Sequence, residues 1–589
     1  MKVNNIFKKV MLGACAVLTL GSCNDFLTIY PTDKTTGKDY WKTKDQVDNM
    51  VTGAYTGMIA YNVQERSIVW GALRSDELVK RSSLSNTTID NVLAMNLLPS
   101  NDYNSWSSFY SVINRCNIVL NHAEAVMDED PEFTQGDYET VRGQMLALRS
   151  LCYFYLVRAF RDVPYTTQSY EDDDQQMEVA QMCPDSVLDF CIQDLKEAET
   201  KVMRSGAYGS NNWRNTGYFT RDAVYALLAD IYLWKASMNH SQADYESCIE
   251  YADKLIDSKD EYYSNNTMGS ISGADNDKYH LFSGITAFDN IFGANNSRES
   301  ILEWQYDGTR NSNLALLNYY SMSGSSSSHD VSGMVEASHI FNSVSDDANS
   351  LSGTKVYASK NDYRFWNNVY LANSSEALQL EIRKTVSQSG ISSISNLNVG
   401  ETKDASWTDY YQRNWIVYRL TDVMLMKAEA QVQIAANDSD DVLRKAFDLV
   451  QVVNKRSMLA DAKDTLKYSD FNSKASMEEL VLAERERELC FEGKRWFDLL
   501  RYNFRHVTPA DYTKTYYEVY GDATTGFVSN YSGFMTLLQR RYVENAAAIC
   551  SKMQTEPYLY YPVPYDDMKV NSQLHQNPVY AAADKYERN

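Results

Sequence analysis

The sequence predicts a mainly helical protein built from two-helix units, with a loop-rich variable region that carries a few short strands. Three observations predict it. Paired stretches with apolar residues at helical spacing, and small residues between them, recur along the chain. Residues 264–405 are rich in Ser, Asn, Gly and aromatics, and short apolar runs such as 299–307 interrupt them. A mixed charged and apolar stretch, residues 477–502, reads as one long helix with Gly493 at a bend or a close contact.

The chain opens with Lys2, Lys8 and Lys9, then an apolar run over residues 10–20. That run has secretory length and is too short to cross a bilayer. Gly21, Ser22 and Cys23 follow, and residues 24–44 are polar and irregular. No later stretch approaches the roughly 18 uninterrupted apolar residues of a membrane span. There are nine cysteines: Cys15, Cys23, Cys116, Cys152, Cys183, Cys191, Cys248, Cys490 and Cys550. Without Cys15 in the leader and Cys23 at its end, seven remain, an odd number with no Cys-x-x-Cys pair. They read as free core thiols rather than a disulfide framework or a metal site. The seven histidines are scattered, unlike a zinc cluster.

The charge balance is 56 basic against 78 acidic residues, a net charge of −22. This argues against a nucleic-acid partner, because a phosphate backbone needs a basic surface. The chain carries 43 Tyr against 20 Phe, with 10 Trp. An aromatic face with a polar tip suits wet surfaces and binding sites, so the tyrosines are expected there.

The elements follow in order. Residues 45–61, 105–125, 138–161 and 185–204 have helical spacing, the last with Asp185 near its start, just after Pro184. The third and fourth are expected to pair across a long insert. The clearest pair spans residues 219–258. Thr220 is placed to cap its first helix, where Ala223, Ala226 and Ala229 alternate with large residues. Tyr245, Cys248, Ile249, Ala252 and Leu255 share one face of the second. A unit of this size, with a short turn, resembles a tetratricopeptide repeat. Residues 418–457 form another such pair. The units are divergent and not contiguous, so the array is not a regular solenoid.

Within residues 264–405, Trp304, Tyr306, Tyr319, Tyr320, Trp366 and Tyr370 are too aromatic for disorder, and the region reads as ordered loops beside the helices. The run Glu484-Arg485-Glu486-Arg487-Glu488 offers carboxylates for catalysis, but charges at this spacing are more simply a packed ion-pair network. Residues 558–580 are punctuated by proline and read as extended, not helical.

These residues together resemble the RagB/SusD nutrient-uptake outer-membrane lipoproteins of Bacteroidetes. Leu20-Gly21-Ser22-Cys23 is similar to the family's lipobox, and Asn24-Asp25-Phe26-Leu27 with Pro31 to its opening. The helix from Arg221 to Trp234, the stretch from Glu484 to Arg501, and Pro562-Val563-Pro564 with Asn571 and Gln576-Asn577-Pro578-Val579-Tyr580 complete the match. It spans nearly the whole mature chain. The resemblance implies an α-superhelix of about four tetratricopeptide-like pairs with a variable loop region. It implies a leader (1–22), a lipidated tether (23–44) with acyl groups on Cys23, a helical N-terminal region (45–260) and a C-terminal region (261–589) that includes the insert 264–405. It also implies a lipid-anchored, surface-exposed outer-membrane protein that delivers oligosaccharides, or in some members peptides, to a TonB-dependent transporter.

A non-catalytic glycan-binding role is the favoured expectation. Aromatic rings stack on the C–H faces of sugars, and Asn, Asp, Arg and Gln bond their hydroxyls. In relatives the site is built from N-terminal loops and the variable insert, which points to Trp70, Arg74, Asp76 and Trp106, and to Tyr319, Tyr320 and Trp366. For each, ordinary packing is the plainer role. Peptide capture is the alternative within the family. A pure protein scaffold is a third reading, since tetratricopeptide units usually bind proteins. An enzyme is not expected: no nucleophile elbow, HExxH, phosphate loop or Cys–His signature is present. No cofactor is expected. A structural calcium would fall at Glu171–Asp174 or Asp275–Asp277, but neither has EF-hand spacing, and a solvated acidic loop is simpler.

Overall fold

Thr43 starts the first helix with a reciprocal cap. Its hydroxyl accepts from the Gln46 N–H, and the Gln46 side chain accepts from the Thr43 N–H. The structure, a computed structural model, describes residues 40–172, 175, 178–265, 278–321, 333–350, 353–373, 378–384, 394, 412–460, 462–542 and 545–581. Cys23, the leader, most of the tether and the Asp275–Asp277 run lie outside them, as do Asp173 and Asp174.

Eight helices pack one on the next in sequence order: α1 (Lys44–Met58), α2 (Ser107–His122), α3 (Gln135–Phe160), α4 (Pro184–Lys201), α5 (Arg221–Asn239), α6 (Gln242–Asn265), α7 (Leu420–Ile434) and α8 (Asp441–Ser457). They form four pairs, and the long insert expected between α3 and α4 does not keep those two from packing closely. The small residues Ala223, Ala226 and Ala229 are wholly buried on α5, where neighbouring helices approach. Asp230, a carboxylate inside the same helix, accepts from the Tyr418 hydroxyl at 2.8 Å. Thr220 does stand at the N-cap of α5, but its hydroxyl makes no bond to the helix and is buried without a partner.

Among the described residues there are four antiparallel two-stranded sheets, two of which tie the loop region to the rest of the chain. β1 (Leu78–Lys80) pairs with β5 (Val335–Ala337), and β2 (Val163–Pro164) with β3 (Gln181–Met182). β4 (Ser300–Trp304), the strand expected near Glu299, pairs with β8 (Trp415–Arg419), which runs straight into α7. β6 (Val369–Asn373) pairs with β7 (Leu378–Ile382).

Three expectations are corrected. Residues 477–502 are two helices, α9 (Lys474–Leu489) and α10 (Arg495–Arg505). The turn between them puts Phe491 at φ +64° and Gly493 at φ +69°. It is pressed against Gly71: a Cβ on Gly71 would lie 2.0 Å from the Gly493 carbonyl oxygen. Tertiary contact, not local propensity, breaks the helix. Residues 558–580 contain a short helix, Tyr565–Val570, after Pro564. Finally, many tyrosines are interior. Tyr319, Tyr418 and Tyr516 are buried and donate to the carboxylates of Glu65, Asp230 and Glu556. Tyrosine suits this core because its carboxylates need donors.

The Glu484–Glu488 run is wholly buried. It is a packed ion-pair network, as expected, but most partners come from other elements. Arg485 meets Asp422 at 3.0 Å and Asp498 at 2.9 Å. Glu488 is ringed by Arg364, Arg419 and Arg456. Burial opposes its charge, but those guanidinium groups hold the Glu488 carboxyl well below its ordinary value.

Candidate functional site

Six of the seven residues expected to face a ligand are committed to the interior. Trp70 is fully buried, donates to the Tyr103 carbonyl at 2.9 Å and stacks on Phe109. Arg74 donates to the carbonyls of Leu559 (2.7 Å) and Tyr558 (2.6 Å) and lies over the Trp496 ring. Asp76 holds Arg495. Tyr319 donates to Glu65, and its hydroxyl oxygen lies 2.7 Å from the Tyr103 hydroxyl. Tyr320 is buried edge-on to Phe491, and Trp366 donates to the Lys360 carbonyl at 2.8 Å. These rings and charges are already paired with protein, so they present no face to a solute.

Trp106 is different. It stands at the N-cap of α2 and, although largely covered, lines a cleft of about 440 Å³. Its indole meets Tyr110 edge-on at 5.6 Å. The second wall is the loop after β2. Asn114 on α2 clamps it twice at Tyr170, donating to the carbonyl and accepting from the N–H, both at 2.8 Å. Asn117 donates to the Gln168 carbonyl at 3.0 Å, and Arg149 donates to Asn117 at 2.8 Å. Tyr153 fixes Thr166 by a pair of bonds. The third wall comes from the C-terminal segment, with Asp567, Val570, Asn571 and Leu574. Burial pushes the Asp567 carboxyl above its ordinary value, against a hydrogen bond from Trp106. Val570 is 73% exposed at the rim.

The cleft therefore sets three aromatic rings, Trp106, Tyr110 and Tyr170, beside serine hydroxyls, amides and one carboxyl. That combination suits a solute with apolar faces and hydroxyl edges. Of these residues, the sequence pointed only to Trp106. Asn114, Tyr170 and Asp567 carry no local signal, because folding alone brings these three distant segments together. Among the described residues no three His, Cys, Asp or Glu groups are placed to hold a metal, and the seven cysteines are buried and unbridged.

Known proteins agree with this architecture. The SusD family profile matches residues 232–580. A second profile, described as starch-binding associating with outer membrane, matches residues 25–233. The chain belongs to the SusD family. The SusD-like protein P38 of Formosa agariphila is 24% identical over 526 residues, 84% of this chain and 92% of its own. A SusD superfamily structure from Bacteroides thetaiotaomicron shares the fold at a TM-score of 0.63 and 20% identity, covering 92% of this chain and 99% of that one. Bacteroides fragilis NanU does so at 0.60 and 16%, covering 94% and 100%.

Proposed function

We propose that this chain is a cell-surface lipoprotein that captures oligosaccharides and hands them to a partner TonB-dependent outer-membrane transporter, without chemistry of its own. Family membership supports the class, and the second profile's description, starch-binding associating with outer membrane, supports the ligand type and the location. The observation that carries the reading is the Trp106 cleft, where aromatic rings alternate with amides and hydroxyls. A single carboxyl, Asp567, stands among its lining residues, whereas glycoside hydrolysis uses a flanking pair. Acylation at Cys23 would hold the body at the membrane, since several acyl chains on one residue anchor stably where one does not. No helix among the described residues is long and apolar enough to cross a membrane.

The test is affinity electrophoresis of the mature chain in gels containing single polysaccharides, followed by calorimetry with the oligosaccharides of any that retard it. Retardation without sugar release is the expected result. Release of sugar would overturn the non-catalytic reading. Binding of peptide mixtures with no polysaccharide retarding the chain would move the ligand to peptides.

A further inference from the structure

A second cleft of about 190 Å³ lies behind one wall of the first. The wall is a thin strap, the segment 571–577 laid against residues 178–181. Asn571 donates to the Val179 carbonyl at 2.9 Å, Gln573 to the Glu178 carbonyl at 3.3 Å, and the His575 N–H to the Gln181 side chain at 2.9 Å. Its residues divide between the two sides. Val179, Asn571 and Leu574 line the Trp106 cleft, while Gln181, Gln573 and His575 line the other. The strap's rim is open to solvent at Glu178, Ala180, Ser572, Gln573 and His575.

The second cleft has its own aromatic platform. Tyr517 and His575 stack with centroids 3.6 Å apart and planes 9° from parallel. His575 covers one face of the Tyr517 ring, yet Tyr517 remains 46% exposed, one of the few large apolar side chains that is. Beside it, Glu518 uses one oxygen to cap its own helix at Thr515. A held ring pair beside a carboxylate and an amide has the chemistry of a sugar site, as in the first cleft.

Resting on the glycan reading above, we propose that the Tyr517–His575 cleft is a second carbohydrate subsite. A long oligosaccharide lies across the exposed strap, with its first units in the Trp106 cleft and a later unit on Tyr517. A disaccharide is expected to occupy the Trp106 cleft alone. The test is calorimetry on the full mature chain with cello-, xylo-, malto- and laminari-oligosaccharides, each as disaccharide and octasaccharide. Tyr517→Ala and His575→Ala should each weaken the bound octasaccharide by about fivefold, the worth of one ring contact, and leave the disaccharide unchanged. Tyr517→Phe should keep the affinity. Tyr170→Ala, in the first cleft, should weaken both lengths. If Tyr170→Ala weakens both lengths while Tyr517→Ala leaves the octasaccharide unchanged, the second subsite is wrong and the glycan reading stands. If none of the four series binds, both fall. Unchanged unfolding midpoints for the Tyr517 variants separate lost contact from lost fold.

Discussion

Arg495 and Asp76 stand 419 residues apart and close a two-bond ion pair inside the protein, Nε to Oδ1 at 2.8 Å and Nη2 to Oδ2 at 3.0 Å. The pair fastens the segment before β1 to the start of α10. Burial alone would push the Asp76 carboxyl up, but Arg495 and Arg540 hold it at about 2. Removing one partner of such a pair strands a buried charge. Asp76→Ala is therefore expected to lower stability by about 3–5 kcal/mol, read from the midpoint of urea unfolding.

The same groups set the acid limit of the fold. Asp76 and Asp422 are both held at about 2, below the ordinary 3.8, and Glu488 is held well below 4.5. Depressed carboxyls contribute stability above their unfolded values, and that contribution is lost as pH falls through the folded ones. Their contribution should be lost, and stability should fall steeply, between about pH 4 and 2. Thermal unfolding across that range checks it; a midpoint that does not move below pH 4 contradicts the assignment.

Glu77 works in the opposite direction. It is fully buried, its Oε2 accepts from the Phe491 N–H at 3.2 Å, and its Oε1 has no hydrogen-bond partner. Burial pushes its carboxyl well above 4.5, against the pull of Arg495. A raised carboxyl contributes stability below its unfolded value and loses it as pH rises through the folded one. Glu77→Gln keeps an acceptor for Phe491 and removes the charge. The variant should match the parent at pH 4 and be the more stable of the two at pH 8, again read by thermal unfolding.

The contact between Gly71 and Gly493 gives a steric prediction. Gly71→Ala would drive a Cβ into backbone that cannot yield, and should cost about 3 kcal/mol or more. Gly493→Ala meets the Ser67 carbonyl oxygen at 2.6 Å and takes an unfavourable positive φ, at least about 1–2 kcal/mol. Gly53, inside α1 with nothing within 4 Å of an added Cβ, is the control. Gly53→Ala should gain about 0.5–1 kcal/mol. Three unfolding curves, in that order of midpoint, check the account.

These residues also show where sequence was readable. Spacing located the eight packed helices, because Ala223, Ala226 and Ala229, or Leu443, Ala446 and Val450, repeat at a period the backbone imposes. Gly493 was legible as a bend or a close contact, but the full break after Leu489 was not, because Gly71, which it packs against, lies more than 400 residues earlier. Arg74 was misjudged for a similar reason. The family resemblance pointed to it as a ligand residue in an N-terminal loop, and only the fold supplies the Leu559 carbonyl, 485 residues away, that lets it be buried. Of the site, sequence singled out only Trp106 at the start of α2. The loop with Tyr170 and the segment with Asp567 became partners only when the chain closed.

The binding prediction has to separate capture from packing. Trp106 is almost fully covered, so replacing it with alanine would lower stability by about 3–5 kcal/mol whatever it binds. Tyr170 is the better probe. Its ring is half-buried at the cleft, while its backbone makes both bonds to Asn114, and those survive loss of the ring. Tyr170→Ala should leave the unfolding midpoint nearly unchanged and weaken oligosaccharide binding by about three- to tenfold, one ring contact. Asp567→Asn keeps an acceptor for Trp106 and removes the titrating group. It should preserve binding and abolish any pH dependence of affinity that sets in above the ordinary carboxylate value. A Tyr170→Ala chain that binds as tightly as the parent would move the site away from this cleft.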